Sequence, residues 1–266
     1  MTQPLHVNHQ YILSKAIADS QQAAPRILDY GCGAGEVVEE GRRIGLEIYG
    51  VDVFYERGNV KAEVKRKGLM SFVGVIENGI IPFPDGFFDF VVSNQVFEHI
   101  QDIDETLVEI NRVMKPGAKF LCLFPSKECI REGHCGIPFL HRFSKNSRVR
   151  FYYAFVLRGI GFGYFKGNKS IEQWANDSIT WLDKFTFYQN KSAILKSFRR
   201  YFEVSLIEHD YVSYRLNISG MGRSAKISQL DLIRPISSEL FRRVGGLVIF
   251  CRKRRSEAQV DDVKAR

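Results

Sequence analysis

The sequence predicts an α/β domain: seven short strands in a mostly parallel sheet, helices on both faces, and an inserted segment over one edge. Three observations carry this. Short apolar runs alternate with helix-like stretches through the first 125 residues, the pattern of a parallel sheet covered on both sides. A glycine-rich turn follows the first strand at once. The alternation breaks at an aromatic-rich block, residues 126–188, and then resumes.

The elements follow in order. Residues 5–20 read as an opening amphipathic helix. Arg26 to Tyr30 form a short strand, Gly31-Cys32-Gly33-Ala34-Gly35 a turn, and residues 36–44 a helix. Leu46–Val51, Ser71–Val75, Phe88–Ser93 and Lys119–Phe124 are the next four strands. Before the last of these, Ile103, Leu107, Ile110 and Met114 recur on one face at 3.6 residues per turn, with Asp102 and Glu105 as a cap and Pro116-Gly117 as a stop. A helix near 190–201 and strands near 203–208 and 246–251 complete the count. The whole chain, 1–266, reads as one domain. Residues 126–188 are expected to be a lid over the edge that carries the site. Residues 209–244, long for a hairpin, are expected to hold another helix that helps form the lid or an oligomer contact.

Composition narrows the classes. Of 266 residues, 45% are hydrophobic and 26% charged, which fits a globular domain and excludes disorder, collagen and coiled coil for most of the chain. No apolar run is long enough to span a bilayer, and the amino terminus has no signal pattern, so the expected location is cytoplasmic. The five cysteines, Cys32, Cys122, Cys129, Cys135 and Cys251, form no C-x-x-C pair and read as reduced, packed thiols, with no structural metal site. The net charge of +8 is partly local, in Arg142, Lys145, Arg148 and Arg150 and in Arg252 to Arg255. Such a balance suits nucleic acid, an anionic membrane, an acidic substrate or plain solvated faces.

Strand, glycine turn and helix together make a nucleotide-binding arrangement. Glycines let backbone approach a ligand, and the helix start offers free N–H groups. Asp52, at the end of the second strand, can accept hydrogen bonds from both hydroxyls of a ribose. A dinucleotide fingerprint would need glycine at position 36, where the chain has Glu36. Asp29, just before the turn, would repel a pyrophosphate and suits a ligand bearing an ammonium and a sulfonium. Both features argue against a dehydrogenase of similar architecture.

With those residues in hand, ILDYGCGAGE resembles the first motif of class I S-adenosylmethionine-dependent methyltransferases of the type 11 kind, a Rossmann-like fold. IYGVDV, IIPFPDGFFDFVVSNQVFEHI and INRVMKPGAKFLCLFP resemble the later segments in the right order, so the likeness covers roughly residues 26–125. It implies S-adenosyl-L-methionine as cofactor. It also implies that Asp29 meets the amino end of the methionine and that Tyr30, Gly31, Cys32, Gly33 and Gly35 form a close backbone wall. Asp52 would bind the ribose, with Val53 and Ile76 beside the adenine and Asn94 and Gln95 near the methionine. Family members often carry aspartate where Val75 stands; Glu77 is the candidate replacement.

Methyl transfer from a sulfonium needs an acceptor held about 3–3.5 Å from the methyl carbon, and a hydroxyl acceptor must lose a proton. No Asn-Pro-Pro-Tyr type motif follows the fourth strand, which lowers the case for nucleobase or glutamine methylation. The candidate catalytic residues are His134, in EGHCGIPFLHR, and His99, after Glu98. A metal set of Glu132, His134 and His141 is the alternative for that loop, without a recognised ligand spacing. Asp89 reads either as a site residue or as a structural acceptor. Trp174 and Trp181, seven apart, read as core residues on one helical face. The expected activity is methyl transfer to a small molecule or glycan, at oxygen. An RNA-directed methyltransferase and a non-catalytic adenosyl-binding subunit are the alternatives.

Overall fold

The computed structural model describes residues 5–19, 24–54 and 59–254. Seven strands form one sheet: β1 (Arg26–Tyr30), β2 (Glu47–Asp52), β3 (Val73–Val75), β4 (Phe88–Asn94), β5 (Met114–Phe124), β6 (Phe202–Leu206) and β7 (Leu247–Lys253). Their order is β3-β2-β1-β4-β5-β7-β6. The first five are mutually parallel; β7 runs antiparallel between β5 and β6. The order reverses between β1 and β4, and both strands end at the same edge. In an open parallel sheet that is where a ligand crevice forms.

Both faces of the sheet are buried, which explains the continuous apolar runs in the strands. Alternate residues go to opposite sides. Leu28, Val91, Phe120, Cys122 and Ile249 face one core, with Ile103, Leu107 and Ile110 of α4 (Ile103–Val113) and Ile194 and Phe198 of α7 (Lys191–Tyr201). Ile27, Phe90, Val92, Leu121 and Val248 face the other, with α1 (Val7–Asp19), α2 (Glu36–Arg43), α3 (Val60–Arg66) and Tyr211 of α8 (Glu208–Ile218). Asp102 caps α4 by accepting from the Glu105 N–H at 3.1 Å, as its sequence signature predicts. The helix stops at Val113, sooner than the Pro116-Gly117 stop, because the chain enters β5 directly at Met114. The helix α3 has no counterpart among the expected elements.

Residues 126–188 hold α5 (Arg148–Gly159) and α6 (Ile171–Phe185) over a small core of their own: Cys135, Ile137, Leu140, Ala154, Trp174, Ala175 and Leu182. Buried Arg150 of α5 pairs with Asp183 of α6. Segment 209–244 is more regular than expected. It carries most of α8, then α9 (Gly222–Ser228) and α10 (Arg234–Val244). Fully buried Glu208 pairs with Arg242 at 3.0 Å and joins α8 to α10.

Several charges that the sequence left open are structural. Lys253 donates to the carbonyls of Asn111 and Met114 at 2.6 and 2.8 Å, and Arg254 donates to Arg199 at 2.8 Å. Arg255 lies outside the described residues. Arg142 donates to the Lys127 carbonyl at 3.0 Å, and Lys145 to Asp183 at 2.7 Å. All five cysteines are buried and free. Among the described residues, no helix is long and apolar enough to cross a membrane.

Asp89 is a structural acceptor. It takes the Arg26 N–H at 3.0 Å and the Lys115 ammonium at 2.7 and 2.8 Å, at the sheet edge opposite the glycine turn. Asp89→Ala is expected to lower stability by about 2 kcal/mol, the scale of a half-buried, charge-assisted pair. Urea unfolding reads this as a lower midpoint at an unchanged slope. A change below about 0.5 kcal/mol contradicts the assignment.

Candidate functional site

The site is built at the carboxyl edge of β1, β2 and β4. The glycine turn is pinned to β2 by two bonds to one carbonyl: the Gly31 and Cys32 N–H groups reach the Val51 oxygen at 2.8 and 3.0 Å. Gly31, Gly33 and Gly35 all have left-handed φ, at 78°, 51° and 75°. At Gly31 the requirement is also spatial, since an added Cβ would overlap Val96 Cγ2 and lie 2.7 Å from Val96 Cγ1. Gly35 then starts α2 with no side-chain cap, leaving the first amides of the helix open.

Asp52 ends β2 with both carboxylate oxygens engaged. Oδ2 accepts the Gly33 N–H and Oδ1 the Phe54 N–H, each at 2.9 Å. A cavity of about 370 Å³ opens beside it, within the size range of small-molecule sites. Its walls include Tyr30, Gly31, Gly33, Asp52, Val53, Ile76 and Gln95 from the expected cofactor set and His99 from the expected catalytic pair, and also Phe54, Val96, Ile100, Trp181 and Phe185. Two of these wall residues, Phe54 and Gln95, hold left-handed φ of 46° and 57° without being glycine. Such backbone persists where its surroundings over-determine it, and it concentrates at functional sites.

Other expected residues lie elsewhere. Cys32 and Gly35 back the turn: Cys32 packs against Gly50 and Gly35 against Leu69. Burial pushes the Cys32 thiol up, which keeps it protonated. Glu77 is exposed and lies outside the cavity lining, turned away by a bridge between Glu77 and Ile80. Asn94 accepts from the Asn8 amide at 2.9 Å, and Asn8 in turn accepts from the Tyr211 hydroxyl, so Asn94 ties α1 to β4 beneath the site.

Asp29 is 3% exposed under the turn. Burial, then the charges of Asp52 and Glu36, push its carboxyl up to about 7. The site therefore holds a buried acid with acidic neighbours, an arrangement that a cation would relieve.

At the far wall the two candidate histidines meet. His99 and His134 have ring centroids 4.9 Å apart, and Trp181 closes on both at 6.0 and 4.9 Å. Trp181 is thus 39% exposed and lines the cavity, whereas Trp174 is core as expected. The shared helical face was legible; that its lower end hangs over the sheet edge was not. His99 Nδ1 donates to the Phe185 carbonyl at 2.6 Å, and burial lowers its pKa despite that bond. His134 Nδ1 bonds Glu132 at 2.7 Å. Burial alone would lower its pKa, but the Glu132 hydrogen bond and charge raise it overall. Glu132 is fully buried; it also takes the Cys135 N–H at 2.6 Å and the Tyr188 hydroxyl at 2.8 Å. Its burial is outweighed by the His134 bond and charge, which bring its carboxyl down to about 2. His141 is not part of this group. It bonds the Lys127 carbonyl at 3.2 Å and packs on Tyr188, so the set Glu132, His134 and His141 does not converge. Glu98, Glu132 and Tyr188 complete the cluster; the sequence marks Glu132 only within the candidate metal set and Glu98 only as the neighbour of His99, and it gives no signal for Tyr188.

A second cavity, about 780 Å³, adjoins the first. The two share Trp181 and Phe185, and the second adds His134, Tyr164, Phe165 and Trp174.

Residues 28–122 match the family described as a methyltransferase domain. Over 109 residues the chain is 34% identical to a demethylmenaquinone methyltransferase of Symbiobacterium thermophilum, covering 38% of this chain and 43% of that one. Over 101 residues it is 33% identical to a ubiquinone biosynthesis O-methyltransferase of Maricaulis maris, covering 36% and 39%. The chain thus spans about two fifths of the length of these curated relatives. An S-adenosylmethionine-dependent methyltransferase from Mesorhizobium loti shares the fold, with a TM-score of 0.54 at 15% identity over 93% of this chain and all of that one.

The Asp29 arrangement has a measurable sign. A carboxyl whose folded pKa lies above its unfolded value of 3.8 makes the native state bind the extra proton between about 4 and 7. Stability then falls as pH rises through that window and levels off above it. Asp29→Asn removes the effect. Thermal unfolding is expected to show the variant gaining on wild type from pH 5 to pH 7, by about 2 kcal/mol. A gap that does not change with pH sinks the assignment.

Proposed function

We propose that the chain transfers a methyl group from S-adenosylmethionine to a hydroxyl oxygen of a flat, apolar small molecule. The observation that carries this is the Asp52 carboxylate held by the Gly33 and Phe54 amides at the wall of the first cavity. The residues present fit the cofactor. The open space at Gly33, where an added Cβ would meet nothing within 4 Å, admits a ligand against backbone, and Asp52 stands where a ribose diol would bind. Val53 and Ile76 would flank the adenine, while Gln95 and Tyr30 would close the methionine end. Cys32 and Gly35 would support the wall from behind, and Asn94 would act through its bond to Asn8. Asp29 would receive the ammonium. Glu77, being outside the lining, has no part in this reading.

When bound, S-adenosylmethionine supplies an electrophilic methyl group whose bonding electrons stay with sulfur as the acceptor oxygen attacks. The protein's tasks are to place the acceptor in line, exclude water and manage the acceptor's proton. The second cavity suits the acceptor: it meets the first at Trp181 and Phe185, and Tyr164, Phe165 and Trp174 give it an aromatic wall beside polar residues such as Lys169, Asn176 and Asp177. This makes residues 126–188 the lid and acceptor-binding part of a single domain. His99 and His134, at the junction, are the residues we assign to acceptor activation. The names of the two quinone-pathway relatives support an apolar, ring-bearing acceptor. A small molecule is favoured over RNA because Arg142, Lys145, Lys253 and Arg254 spend their charge on the protein's own carbonyls.

Isothermal titration with S-adenosylhomocysteine is expected to give micromolar binding, weakened about 10- to 100-fold by Asp52→Asn, the scale of one lost charge-assisted contact. The affinity is expected to rise from pH 6 to about pH 7.5. A cationic ligand favours ionised Asp29, and below about 7 that ionisation must release a proton. Preference for NAD, or no binding, overturns the reading.

A further inference from the structure

We infer that Glu98, His99 and His134 form a binding site for one divalent first-row metal ion of the zinc class. One ligand atom from each of the three residues lies within 4.8 Å of the others, close enough to share a single ion. Two imidazoles and one carboxylate are a recurrent donor set for such ions, and catalytic zinc in particular takes three protein ligands and keeps a fourth position open.

The strongest observation is Glu98. It is 1% exposed, and among the described residues neither of its carboxylate oxygens has a hydrogen-bond partner. An ionised carboxylate without partners costs several kcal/mol to bury, a cost that a cation at that point would offset. The two histidines are oriented for one. A carbonyl can only accept, so the bond from His99 Nδ1 to the Phe185 oxygen puts the ring proton on Nδ1 and leaves Nε2 as a lone-pair donor. His134 is anchored the same way by a carboxylate. Its Nδ1 is held by Glu132, which is held in turn by the Cys135 N–H and the Tyr188 hydroxyl. A carboxylate or carbonyl behind each ligating histidine fixes its tautomer and raises its basicity as a metal ligand. Each ring thus has Nδ1 bonded to the protein, and Nε2 is the nitrogen that would serve as the metal ligand.

The inference deepens the reading under Proposed function, on which it rests for its role. His99 lines the first cavity and His134 the second, so an ion here would stand between cofactor and acceptor. A hydroxyl bound to it would be more acidic than the free one. Binding of the ion itself does not depend on that reading.

The test is metal binding by the full chain, freed of any affinity tag and stripped with a chelator. Zn²⁺ is titrated calorimetrically and Co²⁺ is followed by its visible absorption. The expected result is one ion per chain at micromolar affinity or tighter, with intense Co²⁺ bands of a low-coordinate site. Glu98→Gln and His134→Gln should each weaken Zn²⁺ by at least 30-fold. Glu132→Gln, which leaves all three ligands in place and alters the group behind His134, should weaken it by about 10-fold. Melting curves of the stripped variants confirm that they remain folded. Substoichiometric binding, or equal Zn²⁺ affinity in wild type, Glu98→Gln and His134→Gln, overturns the inference and leaves Glu98 neutralised by a proton. S-adenosylhomocysteine titrated into the same samples separates the two readings. Intact nucleoside binding without metal binding overturns only the metal site, and loss of nucleoside binding overturns the cofactor assignment instead.

Discussion

The carboxyl edge of the sheet depends on two acceptors at the end of β2: the carbonyl of Val51 and the carboxylate of Asp52. The first takes two consecutive amides of the glycine turn, the second takes one amide from that turn and one from its own strand exit. Together they fix where the turn lies relative to β4, and hence the close packing of Val96 on Gly31 at the cavity wall. Because β1 sits between β2 and β4 in register, any shift at that edge would move the whole wall.

Electrostatics give this edge a second common feature. Asp29 and Glu98 are both buried acids, near the start and the far end of the same site, and both are pushed up to about 7, chiefly by burial. Neither stabilises the empty fold in its ionised form. Each becomes favourable when positive charge arrives, an ammonium at one and a metal ion at the other in the assignments proposed above. Stability given up in the unliganded protein is in this way converted into ligand affinity, the trade-off expected at strained functional sites.

The other half of the site is supplied by residues 126–188. Tethers such as the Phe187 N–H to the Glu98 carbonyl, at 2.7 Å, and the Lys127 N–H to the Gln189 carbonyl, at 2.9 Å, bind the two ends of this segment to the core fold. Between them α6 brings Trp181 and Phe185 over the cleft, and the loop after β5 brings His134 to His99. The segment lies outside the span shared with the family, which ends at residue 122.

The sequence by itself determined the sheet, the glycine turn and Asp52, because these rest on local rules. Strand period, turn conformation and the distance along a βαβ unit are all set within a few tens of residues. It also singled out His99 and His134, as histidines beside acids. Only the tertiary structure decided that the two rings meet, that Glu98 is buried close to both with no hydrogen-bond partner for its carboxylate among the described residues, and that His141 turns away. It likewise placed Glu77 outside the cavity and Trp181 inside it, where helical spacing had suggested core. Each of these depends on contacts between segments far apart in the chain. Neither residue type nor periodicity encodes such contacts, which are fixed by how α6 and the loop after β5 pack over the edge of the sheet.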